Sequence, residues 1–181
     1  MRVARAAFTC AFVVFAAVAV SGCSEEKGAA APHLPARSCF GVFTRSDLEP
    51  LMGRGEDVKE SGPIDMRLTA ERRGATCNVY VDGRGRFLAS ATRQPPEQSF
   101  FWHPELIRPA PDPLPLGDKG IVFDTGARVV VTCKSSRDAF QLELALGGSI
   151  DSMRAGESRA LFSDLMKKFL DAAEQQTRCG A

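Results

Sequence analysis

Arg2 and Arg5, followed by the apolar run of residues 6–20, decide which part of this chain has to fold. A bilayer crossing takes about 20 apolar residues, more than this run supplies. A basic start, a short apolar stretch and small residues at its end are the parts of a secretion leader. Ser21 and Gly22 are the small residues, and Cys23 follows them directly. Cleavage between Gly22 and Cys23 leaves residues 23–181, a length that suits one domain. Such a chain buries roughly 68–70% of its unfolded surface, enough for a core that needs no metal. The expected organisation is a leader over 1–22, a flexible tether over 23–38 and a single globular domain over 39–181.

Charge narrows the partners. The leader holds two of the 23 basic residues and none of the 22 acidic ones, so the exported part is balanced to within one charge. Near neutrality excludes the basic stripe that nucleic acid requires and a polybasic grip on lipid headgroups.

Of the six cysteines, Cys10 lies in the leader and Cys23 at the cut, which leaves Cys39, Cys77, Cys133 and Cys179 in the domain. Widely spaced cysteines in an exported chain read as two disulfides. Zinc ligands come in close pairs, and none is present, so no metal is expected. Four cysteines allow three connectivities. The preferred one is Cys39 with Cys77 and Cys133 with Cys179, each bridge stapling a helix end to a strand. Its rival joins Cys77 to Cys133 and Cys39 to Cys179.

Residues 24–38 mix Pro, Ala and charge with no apolar period, the composition of a tether with a reach of roughly 20 Å. Thr44 and Asp47 have the spacing of a capping box, with Phe43 and Leu48 placed as a hydrophobic staple. The helix they start is expected to bury Leu48, Leu51 and Met52 and to stop at Gly53, with Pro50 as an internal irregularity. Ile64, Met66 and Leu68 alternate with polar residues and predict a strand. Cys77, Val79 and Val81, the turn residues 82–85 and the return over 87–92 predict a hairpin. Residues 94–116 carry seven prolines and form a long irregular crossing. Strand character resumes over 121–123, 127–133 and 140–146, and residues 158–178 form an amphipathic helix with Leu161, Phe162, Leu165, Met166, Phe169, Ala172 and Ala173 on its apolar stripe. The predicted fold class is α+β: an antiparallel sheet meander with a short N-terminal and a long C-terminal helix packed on one face.

Catalytic signals are weak. Gly83-Arg84-Gly85 lacks the third glycine of a dinucleotide fingerprint and reads as a hairpin turn. His33 falls in the tether, and His103 has no partner nucleophile that sequence can place. No nucleophile elbow, paired-histidine zinc motif or phosphate loop occurs. Neither an enzyme nor a cofactor is indicated. Phe100, Phe101 and Trp102 have no periodic assignment, and on a proline-stiffened loop they are the candidate binding residues. The reading preferred over binding is that they plug one end of the sheet.

Val20-Ser21-Gly22-Cys23 resembles the lipobox of bacterial lipoproteins. The resemblance implies a diacylglycerol thioether on Cys23, palmitate among its acyl chains, and cleavage just before that residue. Cys39 ahead of a short Leu-rich helix ending in Gly, with Cys77 heading a strand, resembles the small actinobacterial lipoproteins of unknown function. Together these imply an extracytoplasmic protein on the outer face of the cell membrane, with the membrane as a partner through its lipid. The expected role is a non-catalytic binding or interaction module for an envelope protein or a small apolar ligand. The alternatives are an envelope-acting hydrolase and an accessory subunit docking on a membrane complex.

Overall fold

The computed structural model describes residues 28–94, 107–133, 138–148 and 153–177. Among them a two-stranded ribbon pairs β1 (Arg37–Ser38) with β2 (Phe43–Thr44). Helix α1 (Arg45–Met52) follows. The main sheet contains β3 (Val58–Ser61), β4 (Gly74–Val81), β5 (Arg84–Gln94), β6 (Asp112–Pro113), β7 (Lys119–Phe123), β8 (Gly126–Thr132) and β9 (Ala139–Leu146), and helix α2 (Ala155–Thr177) closes the described chain. The class is α+β, with every strand pair antiparallel.

Strand order is β3-β4-β5-β9-β8-β7-β6. The sheet is therefore two meanders, β3-β4-β5 and β6-β7-β8-β9, joined through β5 and β9, which pair from Phe87↔Leu146 to Gln94↔Ala139. Alternation sets the inner face: Ala75, Cys77, Val79 and Val81 of β4, Phe87, Ala89 and Ala91 of β5, and Phe140, Leu142, Leu144 and Leu146 of β9 are all buried. The outer face carries Thr76 hydrogen-bonded to Ser90 and Arg128 paired with Glu143, as suits a sheet with one solvated side.

Both helices lie on the inner face. Helix α1 starts at the expected box: Thr44 N donates to Asp47 Oδ2 at 2.9 Å, and Asp47 N donates to Thr44 Oγ1 at 3.3 Å. Pro50 is accommodated within the helix, which still buries Leu48, Leu51 and Met52 before Gly53 ends it. Helix α2 buries Phe162, Leu165, Met166, Phe169 and Ala173 against β7, β8 and β9. Phe43 joins the two halves of the core, edge-on to Phe87 at 5.4 Å and tilted against Phe169 at 5.8 Å. Arg159 fastens the start of α2 to the sheet edge, donating to Asp124 at 2.6 Å and to Asp112 at 2.7 Å.

The hairpin turns tightly through Asp82 and Gly83, both at positive φ (50° and 74°), the geometry of a two-residue turn matched to strand twist. The register shifts between Val79 and Tyr80. Arg86, the extra residue opposite this shift, sends Nε to Leu51 O at 2.8 Å, so a cation meets the carbonyl end of α1.

Two expectations are corrected. No strand forms over 64–68; the edge strand is Val58–Ser61. Gly62 takes a positive φ against Thr76 and Cys77, and Asp65 then accepts from Arg67 N at 3.2 Å and from Arg72, which holds the segment as a turn. Of the alternating trio, only Met66 is fully buried. Nor is all of 24–38 a tether. Ala29 bridges Arg54, Ala30 N donates to Gly53 O at 2.9 Å, and Ala30, Ala31 and Leu34 are buried. Residues 28–34 run back along α1, a partner too distant in sequence to be read locally. His33 is exposed on the short turn Ala31–His33.

Candidate functional site

The described surface is concave where the end of α2 meets residues 37–47 on one side and 64–68 on the other. Between β1 and β2 the chain turns through Cys39, Phe40 and Gly41, all at positive φ (44°, 62° and 73°). Two of these are not glycine, so the turn is strained and must be held by its surroundings. Three restraints hold it. The Cys39–Cys77 disulfide ties it to β4, Phe40 stacks on Phe169 with ring centroids 5.9 Å apart, and Gln176 Nε2 donates to Phe40 O at 3.3 Å. The other end of the Gln176 amide, Oε1, accepts from Met66 N at 2.8 Å. One side chain of α2 thus fixes both loops and forms the ridge between two grooves.

The first groove, of about 440 Å³, runs between the Arg37–Thr44 loop and α2, with Val42 and Ala172 among its lining residues. An ion pair from Lys168 to Asp47 crosses it. Partial burial pushes the Asp47 carboxyl up, but the Lys168 contact and the Thr44 backbone and hydroxyl bonds outweigh it and hold the group below the usual carboxylate range. The second groove, of about 600 Å³, lies between Ile64, Leu68 and the last turn of α2. Ile64 stands at its rim with 91% of its surface exposed, the one large apolar side chain so placed among the described residues. Asp65 is engaged by Arg67 and Arg72, so the charges at the groove are neutralised, and Ile64 and Leu68 stand among the polar side chains of Gln175, Gln176 and Thr177.

The sulfurs of Cys39 and Cys77 lie close to the Glu60 carboxylate, a cluster with the spacing of metal ligands. Both sulfurs are spent in the disulfide and offer no thiolate, and Glu60 Oε1 instead accepts from Cys39 N at 3.1 Å. A smaller hollow of about 90 Å³ sits at the Arg93–Asp138 ion pair.

Of the residues singled out from sequence, the structure joins Cys39 to Cys77 as preferred. Cys133 is buried beside Phe140 and is disulfide-bonded; Cys179, the partner expected for it, lies outside the described residues. Gly22, Cys23, Phe100, Phe101, Trp102 and His103 also lie outside them. Nothing in the sequence singles out Gln176, and the alternation of Ile64, Met66 and Leu68 predicts a strand rather than an exposed Ile64. The one available signal was Pro63 directly before Ile64, which disfavours a regular central strand. No family model, curated protein or solved structure matches this chain.

Proposed function

We propose that this chain is a lipid-anchored cell-envelope protein, held on the outer face of the membrane through Cys23, whose folded domain is a non-catalytic binding or interaction module. Membership among the small actinobacterial lipoproteins belongs to the same reading. The observation that carries it is the buried Cys39–Cys77 bridge in a chain whose N-terminal apolar run closes on Val20-Ser21-Gly22-Cys23. A structural disulfide in the core suits an oxidising compartment outside the cytosol. Two or more acyl chains hold a protein stably where one does not, so the anchor chemistry suffices without a basic patch. The groove beside Ile64 supports the binding role, because an exposed isoleucine on a concave, restrained surface offers apolar contact at little ordering cost.

Membrane fractionation of wild type and Cys23→Ala tests the anchor. The variant is expected to leave the membrane fraction or to persist as uncleaved precursor, and unchanged fractionation would refute the reading. Ile64→Glu tests the binding role. The melting temperature should hold while co-purification with an envelope partner falls, and undiminished co-purification would move binding away from this groove.

A further inference from the structure

We propose that the Gly28 end of the domain rests against the bilayer that holds the lipid of Cys23, so that the groove beside Ile64 faces the aqueous side. This rests on the lipidation reading above. Only residues 24–27 separate Cys23 from Gly28. At about 3.6 Å per extended residue, the leash from Cys23 to Gly28 reaches at most about 18 Å.

Gly28 is fixed to the fold at one end of the sheet. Its carbonyl accepts from Gly55 N at 2.9 Å, and Gly55 lies against Val81 and Asp82 at the tip of the β4–β5 hairpin. The β7–β8 turn is at this same end, since Gly126 pairs with Ala145 and Leu146 with Phe87. Helix α2 begins here, with Arg159 on Asp124 of that turn, and runs to Thr177 in the wall of the groove. Its 23 residues span about 35 Å. Ile64 lies only six residues beyond Val58, which pairs with Val81 at that tip, so setting the groove on the bilayer would lift Gly28 by up to about 20 Å, the whole extended reach of the leash. The inverted orientation would hold the leash fully taut, at the cost of its backbone freedom, whereas with the Gly28 end on the bilayer the leash stays slack. Around the hairpin tip Arg54, Arg84 and Arg86 stand among Glu56, Asp57 and Asp82, so charge is nearly balanced. The orientation is set by the leash and should not depend on anionic lipid.

The test uses the full lipidated chain in phosphatidylcholine vesicles containing a trace of headgroup-labelled acceptor lipid. A fluorescent amino acid replaces either Arg84 or Ile64, both exposed. Energy transfer to the headgroups should be several-fold stronger from position 84 than from 64, with or without added phosphatidylglycerol. Equal transfer, or stronger transfer from 64, in protein that floats with the vesicles would overturn the orientation and leave the lipidation reading intact. Failure to float with an unmodified Cys23 would overturn both. A Gly/Ser stretch of thirty residues inserted after Lys27 should narrow the difference; an undiminished difference would overturn the leash as its cause.

Discussion

Asp47 serves two structures at once, closing the cap of α1 with Thr44 and receiving Lys168 from α2. Its depressed pKa gives acid stability a direction. The folded carboxyl ionises below its unfolded value near 3.8, so its contribution is fully present above about pH 4 and is lost as pH falls through the folded pKa. Melting curves of wild type and Asp47→Asn should therefore converge between pH 6 and pH 3, and a constant gap would contradict the assignment. At neutral pH, Asp47→Ala removes the cap partner and should cost about 1 kcal/mol. Arg159 acts similarly at the other end of α2, where Asp112 and Asp124 raise its pKa further. Arg159→Ala strands Asp124 against the sheet edge and should cost about 1–3 kcal/mol in urea unfolding. Thr44 and Asp47 were legible in sequence because a capping box is a contact three residues apart; Arg159 was not, because its partners lie 35 and 47 residues away.

The same distinction governs the elements. Helix α1, the β4–β5 hairpin and α2 were readable because their signals are local: a cap, a two-residue turn with Gly83, a stripe at helical spacing. The β5–β9 pairing, which joins the two meanders, leaves no local trace. Residues 64–68 show how a period of two can mislead, since Ile64, Met66 and Leu68 alternate while Asp65 bends the chain and only Met66 enters the core. The left-handed turn at Cys39 and Phe40 was equally invisible, as nothing in either residue type asks for positive φ. Its restraints make it testable. The bridge closes a loop with a sequence separation of 38, so Cys39→Ser with Cys77→Ser should cost roughly 3–4 kcal/mol by the chain-entropy model. Phe169→Ala removes the ring on which Phe40 stacks and should cost about 3–5 kcal/mol. Non-reducing peptide mapping should recover Cys39 linked to Cys77; a peptide joining Cys77 to Cys133 would contradict the fold at its strained turn.

At the scale of the whole molecule, one sheet carries both helices on its inner face, with Gly28 held near the hairpin tip and the grooves at the far end of α2. The grooves were not legible in sequence, because their walls come from residues 37–47, 64–68 and 168–177, which are distant along the chain and which Gln176 joins. The proposed attachment was half legible: Cys23 suggested it, but packing of residues 28–34 along α1 shortens the expected tether, and on the proposed reading this gives the hold a direction. Intact-mass and peptide mass spectrometry of the protein extracted from membranes bears most directly on the central claim. The expected result is a mature chain beginning at Cys23, with diacylglycerol on its sulfur and the Cys39–Cys77 bridge intact. A chain that retains residues 1–22, or one whose Cys23 carries a free thiol while the protein remains in the membrane fraction, would contradict it.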